Sequence, residues 1–231
     1  MRKTWVVLGV VAALVAVPFV CGADVEVAFS VSGDVAASAA AGLADAHIGG
    51  LLDMMGILAS TADLQVGVWG GMRDLLGRFE ELPISFNVWY LLPDGSYFKV
   101  EGGLTGNNLP DRAYFPRVMA GETMVGDLVV SKSTDRKSMV MTVPIERSGT
   151  IIGALGVTVY LDDLAELLLA ALTLPDGVIL FAYDGSGRMA VHSDTNLLLA
   201  DVSESSVDPA MSASAVSSVL GWTFVVGVSG D

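Results

Sequence analysis

The sequence predicts an α+β protein: a long N-terminal helical segment followed by two antiparallel-sheet modules, the second smaller than the first. Three observations carry this expectation. Between residues 34 and 82, apolar side chains recur close to the helical period of about 3.6. Beyond Pro83 the period changes to two, in short Val-, Ile- and aromatic-rich runs punctuated by Gly, Pro and Asp. Finally, YLLPDGSYF (90–98) and LFAYDGSGRMA (180–190) form a weak internal repeat, a strand–turn–strand unit that each time follows a helix.

The helical segment, residues 24–83, carries Leu43, Leu51, Met54, Met55 and Leu58 on one stripe, then Val68, Met72, Leu75, Leu76 and Phe79. Glycines at 49, 50, 56, 67, 70 and 71 each weaken a helix by about 1 kcal/mol. Two helices, or one kinked helix, are therefore expected, with the break near Ser60–Thr61 and the end at Pro83. The first module, residues 84–160, opens with ISFNVWYLLPDGSYFKVEG, a hairpin around Pro-Asp-Gly. NNLPDRAYFPRVMAG reads as a loop and short helix. MVGDLVVSKS, SMVMTVPIER and TIIGALGVTVYL complete five strands, joined by turns at STDRK and RSG. In residues 161–231, LDDLAELLLAAL forms a linking helix and VILFAYDGSGRMAVHSD a second hairpin. SESSVDPAMSASAVSS reads as a loop with one helical turn, and GWTFVVGVS is the last strand.

Composition narrows the functions. Hydrophobic residues make up 52% of the 231, enough for a sizeable core. A formal net charge of −14 argues against nucleic acid, whose phosphates need a basic face, and against anionic lipid headgroups. The leader MRKTWVVLGVVAALVAVPFVCGADV has a positive start, an apolar run from Trp5 to Val20 and small residues after it, the pattern of a secretory signal peptide over residues 1–23. The alternative is an uncleaved anchor, although the run is slightly short of the roughly 17–25 residues of a spanning helix. Lipidation at Cys21 is disfavoured by bulky Phe19 and Val20. The protein is thus expected outside the cytoplasm, periplasmic or extracellular, free or tethered by one segment. Loss of Cys21, the sole cysteine, leaves neither a disulfide nor a thiolate metal site. No second apolar run of about 18 residues is evident, so no further crossing and no intracellular output domain are expected.

Scarce positive charge gathers in one stretch: Lys99, Arg112, Arg117, Lys132, Arg136, Lys137 and Arg147. That stretch contains an ordered set of motifs. These are Asp-Arg-x-Tyr-Phe (111–115), Gly-x-x-x-x-Gly (121–126), Ser-x-x-Thr (131–134), Val-Pro-Ile (143–145), a Gly-containing turn, and Gly-x-Leu-Gly (153–156) before a strand and an Asp-containing helix. Over residues 34–229 the chain resembles the double Cache domain, the extracytoplasmic sensor module of prokaryotic chemoreceptors and histidine kinases. The resemblance implies a long N-terminal helix carrying two PAS-like modules, with a ligand pocket in the first, membrane-distal one. It also places Asp231 where membrane-bound relatives continue into a spanning helix. In amino-acid-binding members an Arg and an aromatic two residues later grip the ligand carboxylate, and acidic residues on two later strands hold the ammonium. Arg112 and Tyr114 stand at the first two positions, with Phe115 next. Thr158 stands near one acidic position, and Val130, Ser131 or Lys132 at the other. The carboxylate half of the site is kept and the ammonium half is not.

The expected ligand site comprises Arg112, Tyr114, Tyr97, Trp89, Ser131, Lys132 and Thr158. The plainer readings are Arg112 paired with Asp111 or Asp127, and Tyr114, Tyr97 and Trp89 as core aromatics. Ser131, Lys132 and Thr158 face the site only in one strand register. Arg136, Lys137 and Arg147 read as solvated turn residues. Catalysis is not expected: no Gly-x-Ser-x-Gly is present, SKSTDRK lacks Ser-x-x-Lys, and the adjacent acids of YLDDL suit a helix start. His47 and His192 fall in different modules, so no metal and no cofactor are expected. The leading reading is an exported sensor that binds a small carboxylate and relays the bound state to a membrane receptor or kinase. The competing one is a ligand-free structural or interaction module, its partner a receptor or a second copy joined through the N-terminal helix.

Overall fold

A computed structural model describes residues 32–82 and 85–229. The expected signal peptide and the expected helix stop at Pro83 lie outside the described residues. The helical segment divides into α1 (Gly33–Ala59), α2 (Ala62–Val66) and α3 (Trp69–Glu80). Ser60 and Thr61 make the first break: their hydroxyls donate back to the carbonyls of Ile57 and Leu58, both at 2.7 Å, in competition with the next helical turn. A second break, not anticipated, comes at Gly67, which adopts φ 74° and ends α2 in the left-handed conformation that glycine tolerates best.

Helix α1 buries Ala37, Ala40, Ala41, Ala44, Ile48, Leu51, Met55 and Ala59, one stripe at three- and four-residue spacing. With a mean hydropathy of 1.3 it is long and apolar enough by composition to cross a membrane, so the expectation of no second apolar run understated it. Its stripe is packed against strands of both sheets instead.

The first sheet has six strands in the order β3-β2-β1-β6-β5-β4: β1 Phe86–Leu91, β2 Ser96–Lys99, β3 Gly103–Asn108, β4 Met124–Val130, β5 Lys137–Arg147 and β6 Thr150–Tyr160. A short helix α4 (Tyr114–Met119) lies between β3 and β4. Five strands were expected, and β3 is the addition. GLTGNN has little strand propensity; it becomes an edge strand by pairing with β2, so tertiary contact overrides composition. Helix α5 (Leu161–Leu172) leads to the second sheet, β8-β7-β10-β9, with β7 Val178–Tyr183, β8 Met189–His192, β9 Val207–Val216 and β10 Thr223–Ser229. Here β9 corrects the expected loop. Only the turn at Val202–Glu204 is helical, and the Ser/Ala run beyond Val207 pairs with β10 while α1 lies against it. Small side chains let that helix come close.

The order β8-β7-β10-β9 reproduces β2-β1-β6-β5, so the second module is a smaller copy of the first. The repeated turns match atom for atom. Asp94 Oδ1 accepts from the Ser96 amide at 2.9 Å and hydroxyl at 2.6 Å, and Asp184 Oδ1 accepts from Ser186 in the same way at the same distances.

The basic turn residues are not merely solvated. Arg136 pairs with Asp162 at 2.6 Å and Asp163 at 2.9 Å, with its guanidinium 3.6 Å from the centre of the Tyr160 ring. Lys137 donates to the Asn196 carbonyl at 2.9 Å, across to the second module. Arg147 reaches the Gln65 and Val66 carbonyls at the end of α2. Each position is settled by a partner far along the chain.

Asp45 on α1 ties the helix to the β9–β10 turn. Its carboxylate accepts from the Ser217 and Ser218 hydroxyls and from the Ser218 and Val219 amides. Burial pushes this carboxyl up, but the hydrogen bonds together outweigh it and hold it below the usual carboxylate range. A depressed folded-state value gives stability that is present above the unfolded value of about 3.9 and lost as pH falls through the folded one. Asp45→Asn is expected to cost about 1–2 kcal/mol at neutral pH, the lower part of the range for charged hydrogen bonds because the group is partly solvated. The deficit in melting temperature should shrink below about pH 4.

His192 on β8 is 4% exposed. Its Nδ1 accepts the Asp194 amide at 2.8 Å, which puts the ring proton on Nε2, where no partner meets it. Burial lowers its pKa, against the opposing pull of Asp194. The unfolded chain then binds the extra proton first, so stability should fall as pH drops below about 6.5. Thermal melts from pH 7.5 to 5 should show this slope, and His192→Phe should flatten it.

Candidate ligand-binding site

Strand alternation sorts the first sheet into two faces. Val88, Tyr90, Met139, Met141, Leu155, Val157 and Val159 turn toward α1 and its neighbours. Trp89, Leu91, Tyr97 and Val140 turn the other way and are covered by Leu109, Tyr114 and Val118 from the β3–β4 connection. Between this second face and its cover lies a cavity of about 30 Å³.

All seven residues expected at the site line this cavity: Trp89, Tyr97, Arg112, Tyr114, Ser131, Lys132 and Thr158. Trp89 lies flat over Gly156 on β6, where a Cβ would come within 2.3 Å of its ring. Tyr97 meets it edge-on at 5.9 Å between centroids, and Tyr114 is tilted at 6.2 Å. Burial pushes the Tyr114 hydroxyl well above its ordinary pKa, with the Arg112 charge pulling the other way, so the phenol stays a neutral donor. The Trp89 indole donates to Thr158 Oγ1 at 2.9 Å, which leaves the Thr158 hydroxyl proton free to donate.

Arg112 and Lys132 are each held by hydrogen bonds at the cavity wall. Arg112 Nη2 donates to the Val130 carbonyl at 2.8 Å. Lys132 Nζ donates to the Asn108 carbonyl at 2.9 Å and pairs with Asp111 at 2.5 Å. That hydrogen bond from Lys132 is the main reason the Asp111 carboxyl sits below its usual range. The alternative pairings of Arg112 with Asp111 or Asp127 are not made: Asp111 is taken by Lys132, and Asp127 Oδ2 is buried without a hydrogen bond.

No family model matches this chain, and no curated protein does either. Solved structures do. The sensory domain of the Campylobacter jejuni chemoreceptor Tlp3 with isoleucine bound aligns at TM-score 0.61 and 15% identity, covering 86% of this chain and 90% of that one. The ligand-binding domain of the Pseudomonas fluorescens chemoreceptor CtaA in complex with L-valine aligns at TM-score 0.69 and 13% identity, covering 86% and 95%. The same domain in complex with L-serine gives TM-score 0.66 at 13% identity, covering 84% and 93%. The fold is that of a double Cache domain.

Within this double Cache fold, the cavity is lined by three cations, Lys99, Arg112 and Lys132, and by no carboxylate. Sequence reasoning did not select Lys99 or Asn87. Both follow from the period-two rule, since Asn87 lies two residues before Trp89 and Lys99 two after Tyr97, on the same face. The Asn87 amide is bonded to the Tyr160 hydroxyl. A second, larger groove of about 470 Å³ runs between α1 and α5, past His47, Asp163 and Glu166. It is open and carries no cation. Asp163 is already held by Arg136 and by the Ser85 hydroxyl at 2.6 Å, so convergent free donors are found at the first cavity and not here.

Proposed function

We propose that this chain is an extracytoplasmic sensory domain that binds a small carboxylate lacking an α-amine and relays the bound state to a signalling partner, a membrane receptor or a kinase. The observation that carries the reading is the one-sided chemistry of the cavity: guanidinium, ammonium and hydroxyl donors without a single carboxylate. An Arg fork pairs bidentately with a carboxylate. A ligand ammonium in the same place would be left unpaired, at a cost of several kcal/mol. The similar chemoreceptor domains are described with isoleucine, valine and serine. The departure proposed for this chain is therefore the loss of the amine, with the sensing role kept.

A cavity of about 30 Å³ has room for about one water molecule. A ligand larger than water therefore requires side chains of the lining to move. The same small volume favours the second reading, a scaffold that signals or associates without a ligand. Calorimetry with L-valine and its deaminated analogue 3-methylbutanoate separates the readings. The carboxylate should bind and the amino acid should not. If valine competes better than its analogue, the anion reading fails; if no carboxylate binds, the ligand-free scaffold stands.

A further inference from the structure

We infer that the ligand is a compact dicarboxylate held between Arg112 and Lys99, an inference that rests on the anion reading above and narrows it. Of the three cations around the cavity, only Lys132 is neutralised, by Asp111. Arg112 spends one of its five donors on the Val130 carbonyl and forms no ion pair among the described residues. Lys99 forms none either. Glu80, whose carboxyl feels the Lys99 charge, accepts the Val88 amide at 2.8 Å and makes no ion pair with Lys99. Two like charges without an ion-pair contact around one small cavity repel each other, and a monoanion answers only one of them.

The two cations belong to different walls. Lys99 is on β2, in register with Trp89, so it stands at the sheet side. Arg112 comes from the segment that covers the sheet. The rings of Trp89, Tyr97 and Tyr114 line the same cavity and meet one another. An aromatic surface flanked by two cations fits two carboxylates joined by a short methylene spacer, with the carbon on the rings and one anionic end at each cation.

Calorimetry on the full chain with malonate and acetate tests this. Malonate should bind about ten- to a hundredfold tighter than acetate, the value of one added charged hydrogen bond. In Lys99→Met the ratio of the two affinities should fall to near one, and Lys99→Arg, which keeps the charge and controls for folding, should restore the preference. A ratio near one in the unaltered protein, or a ratio that survives Lys99→Met, overturns the inference while leaving the monocarboxylate reading in place. Failure of both acids to bind overturns the two together.

Discussion

Arg112→Ala will weaken carboxylate binding by at least about tenfold. A hydrogen bond to a charged group contributes about 1.5–3 kcal/mol, and 1.4 kcal/mol is a factor of ten. The substitution also removes the 2.8 Å tie to the Val130 carbonyl, so it frees the covering segment while it deletes the anion's partner. Arg112→Lys separates these effects. It keeps the charge without the planar fork, and affinity should fall to an intermediate level. Thr158→Asp should act in the opposite sense on amines. Thr158 accepts the indole proton of Trp89, a role a carboxylate can take over, and the new charge would supply the counter-ion an ammonium lacks here. Calorimetry with L-valine and 3-methylbutanoate on the three variants checks the set. Undiminished carboxylate binding by Arg112→Ala would place the anion elsewhere.

Gly156→Ala should be among the damaging small substitutions in the first module. The added methyl would lie 2.3 Å from the Trp89 ring, well inside contact distance. Because β1 and β6 are locked in register along their whole pairing, the ring has to yield, not the strand. Overpacking of this kind costs about 1–3 kcal/mol, and loss of the Trp89–Thr158 hydrogen bond adds about 1 more. At roughly 2–4 °C per kcal/mol, melting should fall by about 5–15 °C. The displaced indole would also fill the cavity and abolish binding. A variant that melts within a degree of its parent would mean the ring has another place to go.

How far the sequence could be read depended on how local each signal was. The break at Ser60–Thr61, the turns at Asp94 and Asp184 and the alternating faces of β1 and β6 all follow from neighbours a few residues apart. The seven cavity residues were within reach for the same reason, given a motif to orient them. Strands β3 and β9 were not, because GLTGNN and SASA carry no strand preference of their own and take their state from β2 and β10. Nor were the roles of Arg136, Lys137 and Arg147, whose partners lie 26, 59 and 81 residues away. Charge in a turn looks solvated until the other half of the pair is placed beside it. Lys99 has a period-two relation to Tyr97 but stands outside the Asp-Arg-x-Tyr-Phe motif that marks Arg112, so no local signal ties it to the site.

The anchor of α1 has a consequence for the order of assembly. Asp45 and Ser217 are separated by 172 residues, and among the described residues the four donors to that carboxylate all come from Ser217–Val219. The helix is therefore made early and locked late, since the turn that receives it follows nine of the ten strands among the described residues. Closing so long a loop is entropically costly and slows folding. Until it closes, the alanine stripe of α1 has only part of its surface covered. A chain cut before β9 should thus lose protection against amide exchange in α1 as well as in the second sheet, although every contact of α1 with β5 and β6 would still be encoded.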